Sequence, residues 1–201
     1  MRQLATSISV GGGNFVVGSH VVLSNGIYLA IANGAKVQIG NNCNVNINSK
    51  IYCERSIMIG DDFSVGWECQ IMDTDFHYVA HNGVVRPRSA SIKIGDRCWL
   101  GNRVSLLKGT VLPGNTIVGS MSQIGMDCTR FGNGAVLSGI GRIMKLAENS
   151  CRLFGNNDAM AYFIVEHQNE GMGFDEITRK LKEAQKEHST YTTVWNMTYN
   201  Y

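Results

Sequence analysis

Apolar residues recur every six positions along most of the chain. The series begins at Ile39, restarts at Ile59 and Ile94, and continues with one slip to Ile143. A period of six does not return to one face of a helix with about 3.6 residues per turn, whereas a short strand followed by a bend fits it. Three such units make a triangular coil of about 18 residues, and each unit points one apolar side chain inward.

The pattern predicts three inward columns of stacked side chains. In coil order they are Ile39, Ile59, Ile94, Leu112, Phe131; Val45, Val65, Leu100, Val118, Leu137; and Ile51, Ile71, Leu106, Ile124, Ile143. The position four residues after each apolar residue is usually small, and four of the six cysteines fall there, at 43, 69, 98 and 128. We expect these cysteines to be small buried residues without a chemical role. The sequence therefore predicts an all-β solenoid, a parallel β-helix whose coils bury a core only by stacking.

The extent of the repeat divides the chain into three parts. Residues 1–38 are expected to form one or two less regular coils or a cap, and residues 39–146 the β-helix with an insertion loop over 77–91. Residues 147–201 are expected to be a C-terminal extension. Apolar residues at 174, 177, 181 and 184 share one face, which predicts an amphipathic helix over about 174–188.

Composition limits the classes of function. The chain has 201 residues, and its 18 lysines and arginines against 16 acidic residues leave a net charge of only +2. That charge is too small to favour nucleic acid or an anionic membrane as a partner. We expect no membrane span and no secretory signal, because no sufficiently long apolar run occurs. The cysteines form no C-x-x-C pair, which favours a cytoplasmic protein without a zinc or redox motif.

Four segments resemble the hexapeptide-repeat acyltransferases, and among these the galactoside, maltose and polysaccharide O-acetyltransferases. Residues 73–77, Asp-Thr-Asp-Phe-His, resemble the D-x-D-F-H stretch, and residues 94–101 resemble I-G-x-x-x-W-I-G. Residues 131–145 resemble I-G-N-G-A-V followed by V-G-A-G-S-V-V-T-K, and residues 147–156 resemble P-E-N-S and G-N-P-A-K, with Asn157 in place of the proline. The resemblance implies a left-handed β-helix, acetyl-CoA as co-substrate, a sugar acceptor and a homotrimer with sites between subunits.

His77 is the candidate general base. An acceptor hydroxyl must lose a proton as it attacks a thioester, and histidine is the side chain suited to this near neutral pH. His77 lies six residues after Ile71, where the regular coil gives way to the insertion, and the resemblance assigns it the same role. Asp73 and Asp75 are expected on the same side of an extended segment as His77, where either orients the imidazole, binds the acceptor or caps the loop. Two aspartates and one close histidine are too few for a metal site.

Further residues are candidates for contacts with the coenzyme and the acceptor. Small residues that follow the second inward column are expected to stack into a shallow groove suited to a pantetheine arm, next to an outward-pointing tryptophan. The predicted coenzyme contacts are Trp99, Gly101, Gly119, Ser138, Gly139 and Lys145. Arg86 and Arg88, in the insertion, are predicted to contact an anionic acceptor. We expect one outward surface to bear His77, Trp99 and the glycines.

Three functions stay open at this point. The first is an acetyl-CoA-dependent O-acetyltransferase acting on a sugar of a cell-surface polysaccharide, such as capsule or lipopolysaccharide. The second is an amino-sugar or antibiotic acetyltransferase of the same fold, which acceptor screening would separate from the first. The third is a non-catalytic β-helix scaffold, which absence of acetyl-CoA binding would favour.

Overall fold

The computed structural model describes residues 5–81, 84–140 and 144–147, together with Glu176, Arg179 and Lys180. The chain forms two compact units, residues 1–151 and 152–201. In the second unit the three described residues are helical, and they lie within the helix expected over 174–188. The rest of that predicted helix lies outside the described residues. Among the described residues, no helix has both the length and the apolar character needed to cross a membrane.

The first unit is built from short strands. In chain order they are β1 (Ser7–Val10), β2 (Asn14–Val17), β3 (Val22–Leu23), β4 (Tyr28–Ile31), β5 (Lys36–Ile39), β6 (Asn44–Val45), β7 (Lys50–Cys53), β8 (Ser56–Ile59), β9 (Ser64–Val65), β10 (Gln70–Met72), β11 (Val79–His81), β12 (Val84–Arg86), β13 (Ile92–Ile94), β14 (Trp99–Leu100), β15 (Ser105–Leu106), β16 (Val111–Leu112), β17 (Ile117–Val118), β18 (Gln123–Ile124), β19 (Val136–Ser138) and β20 (Met144–Ala147). A 3₁₀ turn spans Thr129–Phe131.

Successive strands belong to different sheets, so the chain winds around a triangular prism. Sheet A contains β1, β4, β7, β10, β15 and β18, and sheet B contains β2, β5, β8, β13 and β16. Sheet C contains β3, β6, β9, β14, β17 and β19, with β20 added at its end. Strands of neighbouring coils pair in parallel, except that β20 runs antiparallel to β19. This arrangement of about six coils confirms the predicted all-β solenoid.

The three predicted columns form the core in the predicted register. Sheet B stacks Ile39, Ile59, Ile94 and Leu112; sheet C stacks Val45, Val65, Leu100, Val118 and Leu137; and sheet A stacks Ile51, Ile71, Leu106 and Ile124. None of these side chains is more than 4% exposed. Because each contact joins residues that are one coil apart, the sequence period is sufficient to place them. Ile143, predicted to extend the third column, lies outside the described residues.

One column position was predicted wrongly. A bridge between Val111 and Asp127 places Cys128 directly after Leu112 in the first column, and Cys128 is completely buried. Phe131 lies instead at the end of the 3₁₀ turn, half-buried against the core, with the guanidinium of Arg130 4.7 Å from its ring centroid. The 3₁₀ turn interrupts the spacing of six residues, so the inward position falls on Cys128 and not on Phe131.

The small residues at the corners are buried, as predicted. The thiols of Cys43, Cys69 and Cys98 donate to backbone carbonyls of the next coil, at 3.3, 3.1 and 3.2 Å. Burial raises the pKa of each of these thiols, that of Cys98 to about 11. A small side chain with a donor therefore fits the corner and also satisfies a carbonyl that the bend leaves without a strand partner.

The strands of residues 7–39 pair in the same three sheets. Val17 pairs with Ile39 and Leu23 pairs with Val45, in the register of the later coils. The β-helix therefore begins at β1, and its first coil covers the core of the second. At the other end, β20 turns back along β19.

Candidate functional site

The insertion is a β-hairpin rooted at the corner between sheets A and B. After β10 the chain leaves the coil, forms the antiparallel pair β11–β12 and returns to β13. The two stems are paired at their base, where Thr74 bridges Ser89 and the backbone N–H of Asp75 donates to the carbonyl of Arg88 at 2.9 Å. The hairpin is thus a continuation of paired backbone rather than an unsupported loop.

The carboxylate of Asp73 caps the bend between β7 and β8 in the preceding coil. Its side chain is completely buried, and its carboxylate accepts hydrogen bonds from the backbone N–H groups of Glu54, Arg55 and Ser56 at 2.7, 2.8 and 2.8 Å. The thiol of Cys53 also lies 3.4 Å from Asp73 Oδ2. The hydrogen bonds of this carboxylate therefore go to the bend of the preceding coil, and none of the described contacts joins it to His77.

Asp75 faces the following coil. Its Oδ2 lies 2.6 Å from Nζ of Lys108, which also donates to the carbonyl oxygen of Pro87 at 2.6 Å. The segment from Asp73 to His77 is not one extended strand, because it bends at Asp73 and again at Phe76, where φ is +63°. The expectation that Asp73, Asp75 and His77 alternate along one side of a strand is therefore wrong.

A second group of contacts holds the hairpin to the preceding coil. Oε2 of Glu54 accepts from Oγ1 of Thr74 at 2.8 Å and lies 3.0 Å from the guanidinium of Arg88. The rings of Tyr52 and Phe76 meet edge to face with centroids 4.6 Å apart. Arg88, predicted to contact the acceptor, is therefore engaged with Glu54, whereas the similarly predicted Arg86 lies exposed on β12.

Sequence reasoning missed Glu54 and Lys108. A signal for them existed in the predicted third column, where Ile51, Ile71 and Leu106 are stacked neighbours. Counting two or three residues past each of these reaches the same corner in three successive coils. The sequence did not predict which side chains form these contacts, because the repeat sets the position of the backbone and not the direction in which a long side chain extends to a neighbouring coil.

His77 lies exposed at the start of the hairpin. Its imidazole forms no hydrogen bond or ion pair with any residue in the described part of the chain. The neighbouring rings of Phe76 and Tyr78 are 50% and 68% exposed. The imidazole of His77 is therefore accessible from solvent.

Trp99 lies on a different side of the prism. It begins β14, points outward from sheet C between Ser64 and Ile117, and is 42% exposed. Sheet C is the side opposite the corner between sheets A and B, from which His77 projects. The expected single surface bearing His77 and Trp99 is therefore absent within one chain.

The predicted groove residues do stack beside Trp99. Gly101 donates to the carbonyl of Val118, and Gly119 donates to that of Leu137, both at 2.8 Å, so Gly101, Gly119 and Ser138 follow one another along the corner after sheet C. A Cβ on Gly101 would lie 2.6 Å from Oγ and 2.7 Å from N of Ser120, so close packing of coils requires glycine there.

The last two predicted coenzyme contacts lie at the end of the same sheet. Gly139 directly follows Ser138 and donates its backbone N–H to Oγ of Ser122 at 3.3 Å. Lys145 pairs through its backbone with Leu137, on β20. All six predicted coenzyme contacts therefore belong to sheet C or to the corner that follows it.

The cysteines in the described part of the chain offer no activated nucleophile. The five cysteines that lie in the described ranges are free and buried, and burial raises the pKa of Cys53 to about 12, with the nearby Asp73 carboxylate adding to the shift. A thiol must ionise to attack a carbonyl, so these thiols are unsuited to covalent catalysis. Across the described ranges, no three histidine, cysteine or acidic side chains are grouped as a metal site requires.

Comparisons with known proteins identify the fold. No protein-family model and no curated protein sequence matches the chain. Among solved structures it resembles a variant of AntD, an N-acyltransferase from Bacillus cereus in complex with dTDP and coenzyme A (TM-score 0.56, 16% identity, 83% of this chain and 85% of that one). It also resembles a hexapeptide-repeat acetyltransferase from Vibrio cholerae O1 in complex with acetyl-CoA (0.54, 18%, 65% and 68%) and a galactoside acetyltransferase in complex with coenzyme A (0.53, 23%, 68% and 68%). At these identities of 16–23%, the chain is shown to share the fold of the hexapeptide-repeat acyltransferases.

Proposed function

We propose that this protein is an acetyl-CoA-dependent O-acetyltransferase that acetylates a hydroxyl of a sugar in a cell-surface polysaccharide, such as capsule or lipopolysaccharide. The observation that carries the proposal is His77, an exposed imidazole without a partner in the described chain, presented by a hairpin that both neighbouring coils hold. The coenzyme A complexes of structures with the same fold support the choice of donor.

His77 acts as general base in the proposed reaction. Its neutral imidazole takes the proton of the acceptor hydroxyl while the hydroxyl oxygen forms a bond to the thioester carbonyl carbon. The tetrahedral intermediate then collapses, the carbon–sulfur bond breaks, and the imidazolium returns the proton to the departing thiolate. General base catalysis of this kind contributes about 10²- to 10⁴-fold.

The proposed site is completed by a second copy of the chain. His77 and Trp99 lie on opposite sides of one prism, so a neighbouring copy that turns its sheet C toward the hairpin supplies Trp99 and the small-residue column of Gly101, Gly119 and Ser138. In this arrangement Gly139 and Lys145, which belong to the same end of the sheet, are the further proposed coenzyme contacts. A closed ring of three such contacts is the proposed homotrimer.

A cytoplasmic location is part of the proposal. The five described cysteines are free thiols, as expected for a protein in a reducing compartment.

A second candidate is acylation of an amino sugar. The similarity to AntD, an N-acyltransferase whose complex contains dTDP and coenzyme A, covers 83% of this chain and favours it as the alternative. The same base and donor serve both reactions, and only the acceptor atom differs. The two functions separate when matched sugars with a hydroxyl or an amino group at one carbon are compared.

The test is release of free thiol from acetyl-CoA against a panel of sugars, capsule oligosaccharides and amino sugars. His77→Ala is expected to lower kcat by about 10²-fold or more while acetyl-CoA binding is retained. His20→Asn is the matched control, because His20 is also exposed and its φ of +56° is tolerated by asparagine. A wild-type protein that binds no acetyl-CoA would refute the enzyme function and favour a scaffold, and unchanged kcat in His77→Ala would refute the role of His77.

Subunit complementation tests the shared site. His77→Ala and Trp99→Ala are each expected to be weakly active alone. In randomly mixed trimers, about a quarter of the sites pair an intact His77 with an intact Trp99 from the neighbour, so about a quarter of the wild-type activity returns. A mixture that stays as inactive as its components would contradict a site formed between copies.

A further inference from the structure

One ammonium group ties together the two stems of the hairpin that carries His77. Nζ of Lys108 lies 2.6 Å from Oδ2 of Asp75, on the outgoing stem, and donates at 2.6 Å to the carbonyl of Pro87, on the returning stem. Asp75 is two residues before His77. The side chains of Lys108 and Asp75 are only 21% and 32% exposed, so water competes less for this pair than for a fully exposed one.

Lys108 is itself on a rigid support. It follows β15, whose Leu106 is buried beneath Ile71 in the next coil of the sheet A column. The neighbouring Gly109 donates its backbone N–H to the carbonyl of Ala90 at 3.1 Å, at the point where the hairpin rejoins the coil. The backbone from which the Lys108 side chain extends is therefore held by the core packing of the β-helix.

The contacts on the other side of the hairpin do not replace this one. Glu54 binds Thr74 and Arg88, which orients the base of the stems from the preceding coil. Only the Lys108 contacts join Asp75 to Pro87 among the described side-chain contacts. The paired backbone and Glu54 hold the base of the stems together, and the Lys108 contacts add a second tie at Asp75, two residues before His77, and at Pro87.

We propose that Lys108 is a positioning residue, which holds the hairpin at the angle that presents His77 to the acceptor hydroxyl. The proposal rests on the proposed acetyl transfer. A base displaced by about 1 Å loses about 10²-fold in rate, so a small rotation of the hairpin is sufficient to lower kcat. It also assigns Asp75 a role, since its carboxylate acts as the anchor for Lys108 rather than as the partner of the imidazole.

The test compares Lys108→Met, Lys108→Arg and the control Lys93→Met. Lys93 is an exposed lysine on β13 that forms no ion pair with any residue the structure describes, so its replacement removes a charge without touching the hairpin. Two kinds of measurement are made. The first is hydrogen exchange of the backbone amides of residues 75–90, and the second is the kinetics of transfer, as kcat and as KM for acetyl-CoA and for the acceptor. The exchange measurement does not depend on activity.

Lys108→Met is expected to speed amide exchange in the hairpin by about tenfold while the core strands of the β-helix exchange as in the wild type. The value of kcat is expected to fall by about 10- to 100-fold, with KM for acetyl-CoA within about twofold of wild type. Lys108→Arg, which retains the charge and the donors, is expected to recover most of kcat, and Lys93→Met is expected to match the wild type.

Unchanged exchange in the hairpin of Lys108→Met would overturn the proposal, as would faster exchange with unchanged kcat. If Lys108→Met fails to fold, Asp75→Asn gives the second test, because it weakens the same contact from the other side while Pro87 still accepts from Lys108. Asp75→Asn is then expected to show the same faster exchange and lower kcat. If the wild type transfers no acetyl group, the proposed function fails, and the exchange rates still decide whether Lys108 holds the hairpin.

Discussion

Replacement of Asp73 by asparagine is expected to destabilise the β-helix without any direct effect on chemistry. The carboxylate accepts from three backbone N–H groups, at 2.7–2.8 Å, in a side chain that is 0% exposed. Asparagine has the same shape, but its amide nitrogen must face at least one of these three donors. The change therefore removes one charge-assisted hydrogen bond and leaves a part-buried N–H without an acceptor.

The expected loss follows from these two effects. A hydrogen bond to a charged group contributes about 1.5–3 kcal/mol, and an unsatisfied buried donor costs about 1–3 kcal/mol. The two figures partly describe the same loss and the donors are only part-buried, so we expect the free energy of unfolding to fall by about 3 kcal/mol. With a urea dependence of about 2 kcal/mol per molar, the midpoint of urea unfolding drops by about 1.5 M. Far-ultraviolet circular dichroism follows the transition.

Asp96→Asn is the matched control. Asp96 is exposed, and its Oδ1 accepts a single backbone hydrogen bond, from Asp61 at 3.0 Å. In an earlier coil, Asn41 occupies the equivalent corner and accepts from Ser19 at 3.0 Å, so asparagine is compatible with this position. The control is expected to shift the midpoint by less than about 0.3 M. Equal midpoints for Asp73→Asn and the wild type, together with lost acetyl transfer, would refute the capping argument and return Asp73 to the catalytic machinery.

Two further predictions concern packing and pH. Gly101→Ala is expected to lower the free energy of unfolding in urea by about 1–3 kcal/mol, because its Cβ would lie 2.7 Å from the backbone of Ser120. In Gly119→Ala the nearest contact of the Cβ is 3.4 Å, so the free energy of unfolding is expected to change by less than about 0.5 kcal/mol. Equal losses in the two variants would contradict this packing argument. Burial raises the pKa of Cys53 to about 12 and of Cys98 to about 11 from 9.0. Their contribution to stability is therefore complete below pH 9, decreases from there as the unfolded thiols ionise, and is lost once the pH has risen through 11 to 12. The free energy of unfolding measured in urea is therefore expected to fall by about 1 kcal/mol for each of these two thiols between pH 8 and 10. A smaller fall in Cys98→Ala than in the wild type would give the part that comes from Cys98.

The core of this protein was predictable because a parallel β-helix is locally repetitive. Each inward residue packs on the residue one coil away, so a period read along the chain is also a list of contacts. That is why the columns in sheets A, B and C were assigned correctly from Ile39 to Leu137 with one exception. The exception, Phe131, arose where a 3₁₀ turn interrupts the period.

By itself the sequence determined the architecture, the burial of the corner cysteines and the location of His77 at an insertion. It did not determine what the polar groups beside His77 do. Asp73 and Asp75 look equivalent in sequence, yet one caps a buried bend and the other binds Lys108. The tertiary structure decides this because each carboxylate contacts donors of a different neighbouring coil. In addition, the bend at Phe76 breaks the extended strand in which Asp73, Asp75 and His77 were expected to share one side. The tertiary structure also places Trp99 on the opposite side of the prism, since the insertion lies at one corner and Trp99 on the facing sheet.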